Sequence, residues 1–190
     1  MIEPDATILE EATPARRRLP IWVVAVSFGL LALFLVMITL GLNRAQQGPI
    51  TIGSRVPEFE LTTFDGQRIH TADFDGKVLV INFWASWCKP CEEEAADLET
   101  AWQLYKDRGD VIFLGVNYVD IEKPALEYLD KFSITYPNGP DLRMRVSQMF
   151  RTLGVPETYV VGKDGHLVYI KKGPFRSVDE ITSVIDSALD

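Results

Sequence analysis

Two thiols three positions apart, Cys88 and Cys91, are the residues best suited to chemistry in this chain, and they are the only cysteines among its 190 residues. Cysteines so close together cannot staple distant loops as a small secreted disulfide framework does. They form a local device: a dithiol that opens and closes as a disulfide, or half of a metal site. A closed structural zinc site takes four ligands, and the only histidines, His70 and His166, stand at no ligand spacing from the pair. Both are expected to be solvated or core residues, and no metal is expected. Thiolates alone can hold Cu(I), so a copper-binding module is a competing class, although no histidine or methionine is placed beside the pair. Two inert, buried cysteines are the simplest alternative, and the surrounding pattern argues against them.

That pattern is strand, turn, helix. Lys77 to Trp84, KVLVINFW, is a nearly continuous apolar run of the kind expected for a strand buried on both faces. After the cysteines, Ala95, Leu98, Ala101, Trp102 and Tyr105 recur at helical spacing, with Gly109 as the stop. Cys88 is therefore expected at an exposed helix N-terminus, where unpaired N–H groups and the helix dipole favour an anion and lower a thiol pKa. It is the nucleophile of the reading, and Cys91, one turn inside and more shielded, is the resolving thiol. Pro90 lacks an N–H, which costs little in a first helical turn. Lys89 adds positive charge nearby, while Glu92, Glu93 and Glu94 oppose a thiolate.

Further along, Asp65-Gly66 marks a hairpin turn with Arg68 to Thr71 returning, and Val111 to Tyr118 reads as a second buried strand. Pro124 to Phe132 and Met144 to Leu153 read as helices, the latter with Met144, Val146, Met149, Phe150 and Leu153 as its apolar set. Glu157 to Val161 and Leu167 to Lys171 flank an Asp164-Gly165 turn and should pair. A last helix begins at Ser177, in a capping box with Glu180, and buries Ile181, Val184, Ile185 and Leu189. Strands alternating with helices and ending in an antiparallel hairpin predict an α/β domain with a mixed sheet.

Ahead of this domain, Ile21 to Leu42 contains 22 residues and no charge, enough helix to cross a hydrocarbon layer of about 30 Å. The run exceeds the apolar core of a cleavable signal peptide and no A-x-A-like site follows before Asn43, so it is read as an uncleaved anchor. Arg16, Arg17 and Arg18 precede it and only Arg44 follows closely, which keeps the N-terminus in the cytoplasm and puts the C-terminal domain outside. The organisation expected is a short cytoplasmic tail over 1–19, a single transmembrane helix over 20–43, a linker over 44–52 and the α/β domain over 53–190. A net charge of -8 without a basic block beyond the three arginines offers nothing to a phosphate backbone, so no nucleic acid is expected as a partner.

The stretch NFWASWCKPC resembles the active-site segment of thioredoxin-like proteins, and the resemblance extends over about Ile52 to Asp190. With the N-terminal anchor, the opening VPEFELTTFDGQ and the later GVPETYVVGKDG, the chain is similar to the membrane-anchored TlpA/ResA/DsbE-like (CcmG-like) group of cytochrome c maturation. The resemblance implies a thioredoxin-like fold, a central mixed sheet flanked by helices with an N-terminal β-hairpin. It implies that Pro156 is a cis-proline facing the disulfide, with the backbone of Val155 able to pair with an extended substrate; the residues alone would suit an ordinary turn proline. Thioredoxins proper have a buried Asp where this chain has Asn82, and an amide cannot take the resolving thiol's proton. The anchored group places an acid three residues after the second cysteine, here Glu94. Its two readings are a partly desolvated proton acceptor for Cys91 and one more acid in the first turn of a helix. Glu157, beside Pro156, is either a determinant of partner choice or a surface residue, and Trp87 is a substrate-contacting candidate ahead of Cys88.

The leading function is a dithiol reductant that needs no cofactor beyond its own Cys88–Cys91 disulfide. Its expected partners are a disulfide-containing protein substrate, apocytochrome c cysteines by resemblance, and a membrane thiol-electron donor that recharges it. Pro90 and the three glutamates argue for reduction over oxidation. An oxidase of exported proteins is the reverse reading. A peroxidase would need Thr or Ser three residues before the reactive cysteine, where this chain has Ala85.

Overall fold

The computed structural model describes residues 20–45 and 50–190. The tail expected over 1–19, and residues 46–49 of the expected linker, lie outside the described residues. The chain divides into two units, Met1–Gln47 and Gly48–Asp190.

In the first unit Ile21–Ala45 forms a single helix, α1. Its stretch Ile21–Leu40 has a mean hydropathy of 2.8 and buries none of its length within the protein. Twenty residues of helix rise about 30 Å, so α1 is a candidate membrane span by length and composition.

The second unit is built on a five-stranded sheet. Its strands are β3 (Val78–Trp84), β4 (Val111–Asn117), β5 (Asn138–Pro140), β6 (Glu157–Val161) and β7 (Leu167–Lys172), and their spatial order is β5-β4-β3-β6-β7. The β3, β4 and β5 strands run parallel, and β6 and β7 are antiparallel additions on the other side. This is the thioredoxin-like α/β arrangement. Every residue of β3 is buried, as its unbroken apolar run requires. Because side chains alternate across a strand, Leu79, Ile81 and Phe83 pack with Phe59, Phe150 and Tyr159 on one face. Val78 and Val80 pack on the other with Leu98 and Ala101 of α2 (Lys89–Tyr105) and Ile181 and Ile185 of α5 (Val178–Leu189). Full burial of such a side chain contributes about 1.5–3 kcal/mol, and the two faces together fix where β3 must end.

A small hairpin of β1 (Glu60–Thr62) and β2 (Arg68–His70) turns at Gly66, whose φ of +87° suits glycine. It lies beside β5: Phe64 N–H donates to Asn138 O at 2.9 Å, and a Cβ on Gly139 would stand 2.4 Å from Thr62 O. The start of α5 is capped as expected, Ser177 Oγ accepting from Glu180 N–H at 3.2 Å. The reciprocal arm differs, since Glu180 accepts from Arg176 N–H rather than from Ser177.

Two elements depart from expectation. The helix read over Met144 to Leu153 is only α4 (Arg145–Phe150). Met144 and Arg151, at φ 54° and 53°, bound it in the left-handed conformation, and Asp141 caps its start by accepting from Val146 and Ser147 N–H at 2.8 Å each. Of its supposed apolar set Val146 and Phe150 are buried, while Met149 is 42% and Leu153 84% exposed. The short strand β5 has no counterpart in the sequence reading; its Gly and Pro argue against a strand, and the neighbouring β4 supplies the pairing that makes it one. The helix α3 (Glu122–Lys131) falls close to its expected place.

Candidate active site

The chain leaves β3 at Trp84, turns through Ala85 to Trp87 and enters α2 with Cys88 as its N-cap. Cys88 and Cys91 form a disulfide, S–S 2.01 Å, and Cys91 N–H donates to Cys88 Sγ at 3.2 Å. That donor, with the positive end of α2, is the stabilisation a thiolate at Cys88 would receive on reduction. Cys88 is not exposed, contrary to expectation: the residue is 3% accessible, against 1% for Cys91. Trp84, Ala85, Tyr128 and the partly buried Val155 pack around the pair.

The turn is held from three sides. Trp84 Nε1–H donates to Asn138 Oδ1 at 2.8 Å, and its ring stacks on Tyr128 at 4.5 Å. Tyr128 O–H in turn donates to Cys91 O at 2.8 Å. Asp120, in the loop after β4, accepts from Ser86 N–H at 2.6 Å, Ser86 O–H at 2.8 Å, Asn117 Nδ2 at 2.8 Å and Ile121 N–H at 2.8 Å. Burial pushes the Asp120 carboxyl up, but these donors together outweigh it and hold it below the usual carboxylate range. Trp87, 60% exposed, donates its indole N–H to Val119 O at 3.0 Å. Nothing in the sequence pattern singled out Asp120, Tyr128 or Asn138.

Glu94 lies one turn of α2 beyond Cys91 and is 1% exposed. Its Oε1 accepts from Asn82 Nδ2 at 2.9 Å and its Oε2 from Phe175 N–H at 2.8 Å. Burial pushes its carboxyl up to about 7, against the pull of those two donors and of Lys171. It is thus no ordinary member of an acidic first turn. Glu92 is: it pairs with Lys89 at 2.7 Å and Lys131 at 3.1 Å, which lower its pKa. The three glutamates therefore do not act as three negative charges on Cys88, and the argument from them for a reductant loses most of its force.

The Val155–Pro156 bond is cis, and Val155 packs against the cysteine cluster. Pro156 O accepts from Gly173 N–H at 2.9 Å. Glu157 is buried, 4% exposed, rather than at the surface; its Oε2 accepts from Leu153 N–H at 3.2 Å, with Lys172 Nζ 4.0 Å from Oε1. It ties down the segment leading into Pro156. His70 and His166 stand apart from the site, against Glu60 and Asp164. Among the described residues no group of three or more His, Cys, Asp or Glu could hold a metal ion.

Residues 52–170 match the model of the AhpC/TSA family. The thiol-disulfide oxidoreductase ResA of Geobacillus kaustophilus is 30% identical over 130 residues, 68% of this chain and 74% of that protein. The thioredoxin-like protein YneN of Bacillus subtilis is 30% identical over 124 residues, 64% and 71% of the two chains. The crystal structure of a thiol:disulfide interchange protein of the thioredoxin family from Chlorobium tepidum superposes with a TM-score of 0.67 at 25% identity, covering 74% of this chain and 99% of that one.

Proposed function

The chain belongs to the AhpC/TSA family and is a thiol-disulfide oxidoreductase, and from that premise we propose that it is a membrane-anchored dithiol reductant of protein disulfides outside the cytoplasm. The observation that carries this reading is the Cys88–Cys91 disulfide at the N-cap of α2 with a buried Glu94 one turn inside, its carboxyl pushed up to about 7 by burial.

In the reductive direction the Cys88 thiolate attacks one sulfur of a substrate disulfide. The substrate S–S bond breaks, one substrate thiolate leaves, and a mixed disulfide joins Cys88 to the substrate. Cys91 then gives its proton to Glu94 and attacks Cys88 Sγ. The Cys88–Cys91 bond closes, the second substrate thiolate departs, and two electrons have passed to the substrate. A carboxyl titrating near 7 can accept that proton and return it at neutral pH. The exposed Trp87, next to Cys88 in the chain, and the backbone of Val155, whose side chain packs with the cysteine cluster, would hold an extended substrate strand, with Glu157 fixing the loop from behind.

The substrate class proposed is apocytochrome c, whose C-x-x-C-H haem-attachment cysteines need to be reduced, and the electron donor is a membrane thiol protein. The charge bias of Arg16, Arg17 and Arg18 against Arg44 supports a cytoplasmic N-terminus and an outer catalytic domain.

The test is the reduced full chain in lipid nanodiscs mixed with an oxidised C-x-x-C-H peptide. Reduction is expected, with Cys91→Ser accumulating a mixed disulfide and Cys88→Ser accumulating none. A reduction potential near the roughly -270 mV of thioredoxin supports the donor role, whereas one near the roughly -120 mV of a strong oxidant reverses it.

A further inference from the structure

Asn82 of β3 stands directly opposite Thr158 of β6, and the two are 2% and 0% exposed. The Asn82 Nδ2 atom donates two hydrogen bonds of 2.9 Å, one to Glu94 Oε1 and one to Thr158 Oγ1. With Phe175 N–H on Oε2, both oxygens of Glu94 meet donors. The arrangement suits a carboxylate, which only accepts. It suits less well an acid form whose proton sits on the Oε1 lone pair facing Asn82, because that O–H would meet an N–H across 2.9 Å, donor against donor.

The backbone N–H of Phe175 cannot reverse its polarity. A side-chain amide can: its NH2 end offers two donors, its oxygen two acceptors, and the two ends are nearly the same size. A threonine hydroxyl serves either, since it donates and accepts. An Asp at position 82 would repel the carboxylate, and an apolar residue there would leave Oε1 unpartnered in both states, a costly condition in a buried site.

We propose that Asn82 is a positioning residue whose side-chain amide turns over as Glu94 gains and loses its proton, with the Thr158 hydroxyl pairing whichever end faces it. In the carboxylate state Nδ2 donates to Glu94 and Thr158. In the acid state Oδ1 takes its place and accepts from Glu94 O–H and Thr158 O–H. The only proton that changes atoms moves from Cys91 Sγ to Glu94 Oε1, and it returns to Cys91 when the disulfide is next reduced; the Thr158 hydroxyl merely rotates. Lys171 of β7 favours the carboxylate and Glu180 of α5 disfavours it, while Tyr128 and Tyr136 are the other titratable groups within electrostatic reach. Lys171 only donates, an ionised Glu180 only accepts, and the Tyr128 hydroxyl is committed to Cys91 O. The proposal rests on the reading of Glu94 as proton acceptor.

The test is nuclear magnetic resonance of the reduced, isotope-labelled full chain in micelles, following the Glu94 carboxyl and the Asn82 side-chain amide against pH. In the unmodified chain the Asn82 amide signals are expected to move in step with the Glu94 carboxyl. Thr158→Val costs the carboxylate state more: it removes the sole acceptor of one Asn82 N–H there, but in the acid state only one of the two donors to Oδ1. It should therefore raise the Glu94 midpoint by about half a pH unit, about threefold in the ratio of the two forms, while Thr158→Ser stays with the unmodified chain. Asn82 signals that stay still through the Glu94 transition would overturn the proposal with no variant needed, as would a Thr158→Val midpoint equal to that of the unmodified chain. Failure of the acid reading has a separate signature, Glu94→Gln resolving the mixed disulfide at the full rate with an unchanged pH profile, and it removes the proposal as well.

Discussion

Glu94 carries two opposing demands. A carboxyl held near 7 rather than 4.5 binds its proton more tightly in the folded than in the unfolded chain. Folding is then favoured at low pH, and the stability from this group is lost as pH rises from about 4.5 through about 7. The full loss is about 3 kcal/mol. Glu94→Gln should therefore flatten the pH dependence and make the protein more stable than the unmodified chain above pH 7, measurable as a higher urea midpoint at pH 8 with little difference at pH 4. The same substitution should slow resolution of the mixed disulfide by about 100-fold near neutral pH, the order of general acid–base contributions, as read by quenched-flow trapping. A variant that gains stability and loses turnover would identify a charge kept buried for chemistry. At this scale the sequence was informative about Cys88, Cys91 and Asn82, whose spacing or oddity is visible in one dimension. It was silent on Asp120 and Tyr128, which matter only because the fold brings them to the turn from 34 and 37 positions away.

At the scale of elements, the turn between β3 and α2 is clamped to the loop after β4 by two bonds from Ser86 to Asp120 and by Tyr118 N–H on Trp84 O at 2.7 Å, while Asn117 and Ile121 hold Asp120 in place. Asp120→Ala should cost about 1–3 kcal/mol in stability and speed hydrogen exchange at the Ser86 and Ile121 amides, while exchange in the centre of β4 stays slow. A Cβ on Gly115 would stand 1.6 Å from Asn138 Oδ1, the acceptor of the Trp84 indole. Gly115→Ala should therefore cost about 2–3 kcal/mol by overpacking, measured by urea unfolding, and disturb Trp84 beside the cysteines. The long periodic elements β3, α2, β4 and α5 were legible because an apolar period reports burial. Both β5 and the true length of α4 were not: three paired residues including Gly and Pro carry no strand signal, and Met149 and Leu153 mimic a core period while lying at the surface. Rules of local pattern fail most readily near a functional site, and Leu153 sits two residues before Val155.

For the whole molecule the decisive feature is α1, a candidate span joined to a compact catalytic unit. A tether of this kind raises the effective concentration of the domain toward partners in the same membrane. Residues 48–190 alone should retain exchange with a soluble disulfide peptide at the rate of the full chain, yet be recharged more slowly by a membrane thiol donor in reconstituted vesicles. Equal rates in both assays would remove any kinetic role for the anchor.

The β1–β2 hairpin has a further consequence for how the protein keeps to itself. An uncovered outer strand offers unpaired backbone groups to any neighbouring chain and invites aggregation. Here the hairpin shields β5 through Phe64 and the close approach at Gly139. At the opposite border β7 carries Lys171 and Lys172, and its pairing with β6 is interrupted by a bulge near Val160, two ordinary ways of discouraging strand addition. The β1 and β2 strands carry none of the residues placed at the disulfide, so damage to them would first appear as self-association, with the redox chemistry still intact.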